Sequence, residues 1–154
     1  MLQRIQTIYL LLAAALCFAC LCLPVGSLVA NDNAETVAVM YNLWVSVMPN
    51  HEHVYAPWAL FVLLVIVTTG YSSSIILFKH RPVQARLTML CCLLLVGWYA
   101  VYGAFIYSFC DRFEASFLPT PWAAFPAVAC ILGYLAFRGI IRDEALVRSL
   151  DRLR

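Results

Sequence analysis

The sequence predicts an all-α membrane protein: a four-transmembrane-helix bundle with a small extracytoplasmic segment and a cytoplasmic amphipathic C-terminal helix. Three observations predict it. Of 154 residues, 64% are hydrophobic and 12% charged, with a mean hydropathy of +0.87, and a chain this short leaves too much surface wet to hide that apolar material in an aqueous core. The apolar residues come in blocks, each near the ~20 residues that a helix needs to cross a hydrocarbon layer of ~30 Å. Finally, Lys and Arg fall almost wholly on one face of the four-pass arrangement that those blocks define.

The first helix is expected at about residues 6–24, around the uncharged run Ile8–Leu23, with Pro24 and Gly26 as terminators. A cleaved signal peptide with Val25-Gly26-Ser27 as its small-residue site is the alternative, but the apolar run is longer than a usual signal core. The residues before Cys17, Cys20 and Cys22 have no lipobox-like order. The second helix is expected at 56–78 and the third at 87–110. The fourth, at 117–141, carries Pro119, Pro121 and Pro126 near its start, and a cytoplasmic tail follows at 142–154. The whole chain, 1–154, reads as a single membrane domain. The blocks are continuously apolar with no period of two, so they are helices rather than barrel strands.

Charge sets the orientation. Arg4, Lys79, Arg81, Arg86, Arg138, Arg142, Arg148, Arg152 and Arg154 share one face, against Arg112 on the other. The positive-inside rule then places both termini in the cytoplasm. In the outer segment Val25–Tyr55, the residues Val37, Val39, Tyr41, Leu43, Val45 and Val47 alternate with period two, which predicts a strand. Pro49-Asn50 supplies a turn, and His53-Val54-Tyr55 a short partner strand. An interfacial helix through Met40, Leu43, Trp44 and Val47 is the competing reading. The connection from Asp111 to Thr120 reads as a short loop, and Lys79–Arg86 as a tight basic turn among anionic lipid head groups.

The tail is the leading candidate for a partner-binding element. Leu146, Leu150 and Leu153 fall on one helical face, and Arg148 and Arg152 flank them. Glu144 and Arg148 are spaced i,i+4 in the favourable order. A helix lying on the lipid surface has the same pattern as one docked on a membrane or cytoplasmic protein.

The ends of the chain carry a resemblance. Met1-Leu2-Gln3-Arg4-Ile5-Gln6-Thr7-Ile8-Tyr9-Leu10 and Asp143-Glu144-Ala145-Leu146-Val147-Arg148-Ser149-Leu150-Asp151-Arg152-Leu153-Arg154 resemble the bacterial domain-of-unknown-function family 4293. The resemblance implies a four-helix protein of the bacterial cytoplasmic (inner) membrane, implies no activity, and draws attention to the two termini.

Other constellations are weaker. Cys17-Phe18-Ala19-Cys20 is formally a C-x-x-C, but it lies inside a span, where nothing lowers a thiol pKa, and buried cysteine behaves as a small apolar packing residue. His51 and His53 are weak metal candidates, since an H-x-H pair is short of the three or four ligands a zinc site uses. Thr68 and Ser72 lie at a depth similar to Tyr99 and Tyr102, beside Gly97 and Gly103, which predicts a hydrogen-bonded seam between the second and third helices. A pocket for a lipid or solute there is the alternative. The function predicted is a small non-catalytic scaffold or accessory subunit of a membrane complex. Membrane thiol oxidoreductase and small lipid or solute carrier are the alternatives. The partners predicted are the lipid bilayer and another protein at the tail, without cofactor or nucleic acid.

Overall fold

The computed structural model describes residues 2–31, 35–48, 50 and 52–151, with the side chains of residues 5–78 and 80–145 among these. Four long helices carry the chain: α1 (Leu2–Cys22), α2 (Trp58–Ile76), α3 (Arg81–Phe113) and α4 (Phe125–Asp151). All four are long and apolar enough to cross a membrane. Each packs along two neighbours in a closed ring, α1 on α2, α2 on α3, α3 on α4 and α4 on α1. The mostly helical expectation thus holds, and large apolar side chains lie on both the inside and the outside of the bundle. Leu10, Leu64, Leu95 and Trp98 are fully buried in the middle, while Leu11, Phe18, Ile66, Leu93, Val96 and Ile131 point outward. Water would penalise that outer surface, at roughly 25 cal/mol for every Å² of apolar area.

One end of the bundle is closed by a five-stranded antiparallel sheet in the order β4-β3-β2-β1-β5. Its strands are β1 (Gly26–Ala30), β2 (Thr36–Met40), β3 (Val45–Val47), β4 (Glu52–Val54) and β5 (Ala115–Pro119). Gly26, Leu28, Ala38, Met40 and Val45 are buried, and the register sets Leu28 opposite Ala38 and Met40 opposite Val45. The other end holds the basic turn and the end of α4, and is called the basic end below.

The structure corrects several sequence expectations. The alternation from Val37 to Val47 is two strands, because Asn42 interrupts it and Tyr41 N–H closes the turn on the Trp44 carbonyl at 2.8 Å. The interfacial-helix alternative is excluded with it. The loop before the fourth helix contains β5, which adds to the free edge of β1. Residues 117–119 belong to this strand and 121–124 to a 3-10 turn, so the fourth helix starts at Phe125 instead of 117. Three prolines within eight residues remove backbone donors that an earlier start would need. At the basic end, most of the supposed turn 79–86 is helical, since α3 begins at Arg81 with Pro82 in its first turn, a position where the missing N–H costs nothing.

Candidate functional site

The basic end brings together residues from three helices. The Gln6 amide on α1 donates to the Asp143 carboxylate on α4 at 2.6 Å. Arg81, on the first turn of α3, donates to the Asp143 carbonyl at 3.4 Å. Gln6 is buried, and a Cβ at Gly139 would sit against its side chain, so α1 and α4 approach closely here. From this junction α4 continues without a break to Asp151. As far as Asp151, tail and fourth helix are therefore one helix. Leu146, Arg148 and Leu150 lie on it with side chains outside the described residues, and Arg152 and Leu153 lie outside the described residues altogether.

The polar seam is redistributed. Thr68 Oγ donates to the Leu64 carbonyl of its own helix at 2.7 Å, and Ser72 Oγ to the Thr68 carbonyl at 2.9 Å. Neither hydroxyl reaches Tyr99 or Tyr102. The bond between α2 and α3 forms further along the same polar run, where the Ser74 and Thr88 hydroxyls are 2.9 Å apart and both address the Gln84 carbonyl. Gly97 and Gly103 face open space; the close approaches are at Gly70, against Cys91, and at Gly133, against Tyr71 and Cys92. A helical glycine makes a contact only if its bare face points inward, and sequence spacing alone does not say which way it points.

Tyr99 and Tyr102 instead hold irregular backbone at the sheet end. The Tyr102 hydroxyl donates to the Val25 carbonyl at 2.7 Å, in the link between α1 and β1. The Tyr99 hydroxyl donates to the Ala123 carbonyl at 2.7 Å and accepts from the Ala127 N–H at 3.0 Å. It thereby serves both the 3-10 turn and one of the orphan donors in the first turn of α4. Around the same link, Thr120 Oγ donates to the Pro24 carbonyl and the buried Asn42 amide to the Cys20 carbonyl, each at 2.6 Å. Backbone without a helical or sheet partner is tolerated at membrane depth only where protein groups satisfy it. Asn42 was missed by the sequence reading, although a lone amide inside an apolar alternation is a usable signal.

The cysteines lie on α1, α3 and α4, and Cys22 is exposed. Cys17, Cys20, Cys91 and Cys92 are buried, and all seven are free thiols. Cys92 and Cys130 donate reciprocally to each other's carbonyl at 3.7 and 3.8 Å, joining α3 to α4. Of the weak metal candidates, His51 lies outside the described residues. His53 is exposed on β4, with its ring 5.7 Å from that of Trp44. No cluster of three His, Cys, Asp or Glu side chains placed to hold a metal occurs among the described residues.

No curated protein matches the chain. A family model described as "Domain of unknown function (DUF4293)" matches residues 2–153. The match runs over all four helices and the sheet, and on it the chain belongs to the DUF4293 family.

Proposed function

We propose that this protein is a small, non-catalytic accessory or scaffold subunit of a complex in the bacterial inner membrane, with both termini cytoplasmic and the end of α4 as its docking element. The continuity of α4 is the observation that carries this reading. Its 27 residues give about 40 Å of helix, against a hydrocarbon layer of about 30 Å. The excess projects beyond the basic end as a stiff arm. Gln6 and Arg81 both hold Asp143 where that arm leaves the bundle, so its direction is fixed by three helices. A partner helix or groove reading the sequence pattern Leu146, Leu150 and Leu153 would then meet an arm whose departure from the bundle is already set, which lowers the ordering cost of binding.

Truncation after Ala145 tests the reading. It keeps Asp143 and its bonds but removes the leucine stripe. The shortened chain is expected to insert normally, to fail to complement a deletion strain, and to migrate on native gels of membrane extracts as a smaller species than the full chain. Full complementation by the truncated chain would overturn the proposal. Reporter fusions at Arg154 test the orientation, and an active periplasmic reporter there would reverse it.

A further inference from the structure

The seam between α3 and α4 carries an outward-opening hollow of about 300 Å³. Among the described residues no charged side chain lines it, and three that do line it carry sulfur: Met89 and Cys92 on α3, and Cys130 on α4. Met89 and Cys92 are about one helical turn apart and share a face. Cys92 and Cys130 reach across the seam towards each other, each Sγ lying 3.7 or 3.8 Å from the other residue's carbonyl oxygen. The Cys92 Sγ is also 3.6 Å from the Tyr71 hydroxyl of α2. Gly133 leaves room for that pair, since a Cβ there would strike both the hydroxyl and the sulfur. None of these contacts commits the thiols strongly, because S–H is a weak donor and sulfur a weak acceptor. Met89 is exposed at the rim, and its three rotatable bonds let the thioether fold into the hollow.

We propose that Met89, Cys92 and Cys130 form a binding site for one soft monovalent cation, Cu(I). The donor set chooses the metal. Thiolate and thioether sulfur suit Cu(I), whereas zinc is held by four donors drawn from Cys, His and carboxylates, and no group of even three such residues meets among the described ones. Charge makes the same choice. An uncharged hollow opposes any net charge, and one Cu(I) on one thiolate is neutral, with the second thiol and the thioether as uncharged donors. Binding is a ligand exchange. The Cys92 S–H bond breaks as the Cu–S bond forms, the proton leaves to the displaced ligand or to water, and no atom changes oxidation state. Cys92 takes the anionic role because the Tyr71 hydroxyl can donate to its sulfur, an outer contact of the kind that orients and tunes a metal ligand. An acyl chain would fit the same hollow but would gain nothing from sulfur over hydrocarbon, and the experiment tells the two apart.

The purified full-length protein, reduced and kept under argon in detergent, is loaded with Cu(I) and challenged with bathocuproine disulfonate, a chelator that strips isolated thiols. Retained metal is read by native mass spectrometry, and its ligands by X-ray absorption. One copper per chain in an all-sulfur shell is expected, and excess Zn(II) should not displace it. Cys92→Ala and Cys130→Ala should each abolish retention. Met89→Leu and Tyr71→Phe should each weaken it by about tenfold or more, the scale of a supporting contact at a metal site. Cys22→Ala and Cys110→Ala, away from the hollow, should leave it unchanged. Unfolding midpoints measured without metal separate loss of a ligand from loss of the fold, and Met89→Leu, a volume-conserving change at an exposed position, keeps the test decisive if a cysteine variant unfolds. No copper retained by the wild type, unchanged retention in Cys92→Ala, Cys130→Ala or Met89→Leu, or displacement by Zn(II) would each overturn the assignment. The readout does not depend on the arm beyond Ala145, so failure here is separate from failure of the docking proposal.

Discussion

The two ends of the bundle are closed by different means. At the sheet end, five strands cover the helix termini, and four side chains, Asn42, Tyr99, Tyr102 and Thr120, donate to carbonyls in the last turn of α1, the α1–β1 link and the 3-10 turn. At the basic end, the α2–α3 connection is a single 3-10 turn, and the convergence of α1, α3 and α4 rests on Asp143. The difference lies in how much backbone is left over. The α1–β1 and β5–α4 links leave carbonyls beside the packed helix ends, and a buried carbonyl without water needs a protein donor. The helices at the basic end run on past their apolar stretch, and their termini have less need of protein partners. The sheet end is accordingly the more heavily cross-braced pole of the molecule and the basic end the less braced one.

Substitutions probe this contrast, each read as the thermal unfolding midpoint in detergent. The largest loss is expected in the middle, where both ends depend on the same helix contacts. Gly133→Ala drives a Cβ onto Tyr71 and Cys92 and should cost about 1–3 kcal/mol, as overpacked cores do. Gly103→Ala, with nothing near its Cβ, should be neutral or gain up to about 1 kcal/mol from helix propensity; an equal loss at the two glycines would mean that α3 is rotated from the orientation described.

Next comes the sheet end. Asn42→Ala removes the donor to the Cys20 carbonyl and should cost about 1–2 kcal/mol, the scale of leaving a buried acceptor unsatisfied. Tyr102→Phe, which strips the shorter of two hydrogen bonds from the Val25 carbonyl and leaves the Thr120 N–H at 3.4 Å, should cost about 1 kcal/mol. At the basic end, Asp143→Ala should cost less than about 1 kcal/mol, because that junction is only partly buried. If Asp143→Ala proves more damaging than Asn42→Ala, the assignment of more and less braced poles is reversed. The smallest effect is expected at Thr68→Val, within about 0.5 kcal/mol, since Thr68 bonds only to its own helix.

Those expectations show what could be read from the residues. The four long helices were legible because a charge-free apolar run of about 20 residues is long enough for a helix and lacks the alternation of a strand, and Leu60, Leu64, Leu95 and Ala129 duly fall in the interior. The sheet was half legible. The alternation through Val37 and Val47 marked strand material, but Tyr41 and Leu43 continued the apolar rhythm across the turn and hid it. β5 was not legible, because Phe117 and Leu118 look like the start of a span and their pairing with β1 is far away in sequence. The start of α3 was obscured by its charges, which end an apolar run without ending a helix. The hydroxyl groups were seen and their partners misassigned. Composition says that a buried Tyr102 needs an acceptor, but only the fold reveals that the needy acceptor is the Val25 carbonyl.

The pairing of β1 with β5 also sets an order of assembly. Ala30 faces Ala115 across that ladder, so on a ribosome the partner emerges roughly 85 residues late, on the order of ten seconds at ordinary elongation rates. For that interval β1 is a bare edge, able to recruit a strand from another nascent chain. The donors that quiet the neighbouring link, Tyr102 and Thr120, arrive just before and just after β5. The same few residues that complete the ladder therefore end the period of exposure, and a chain stalled between Val54 and Phe113 would have four strands and no means of closing them.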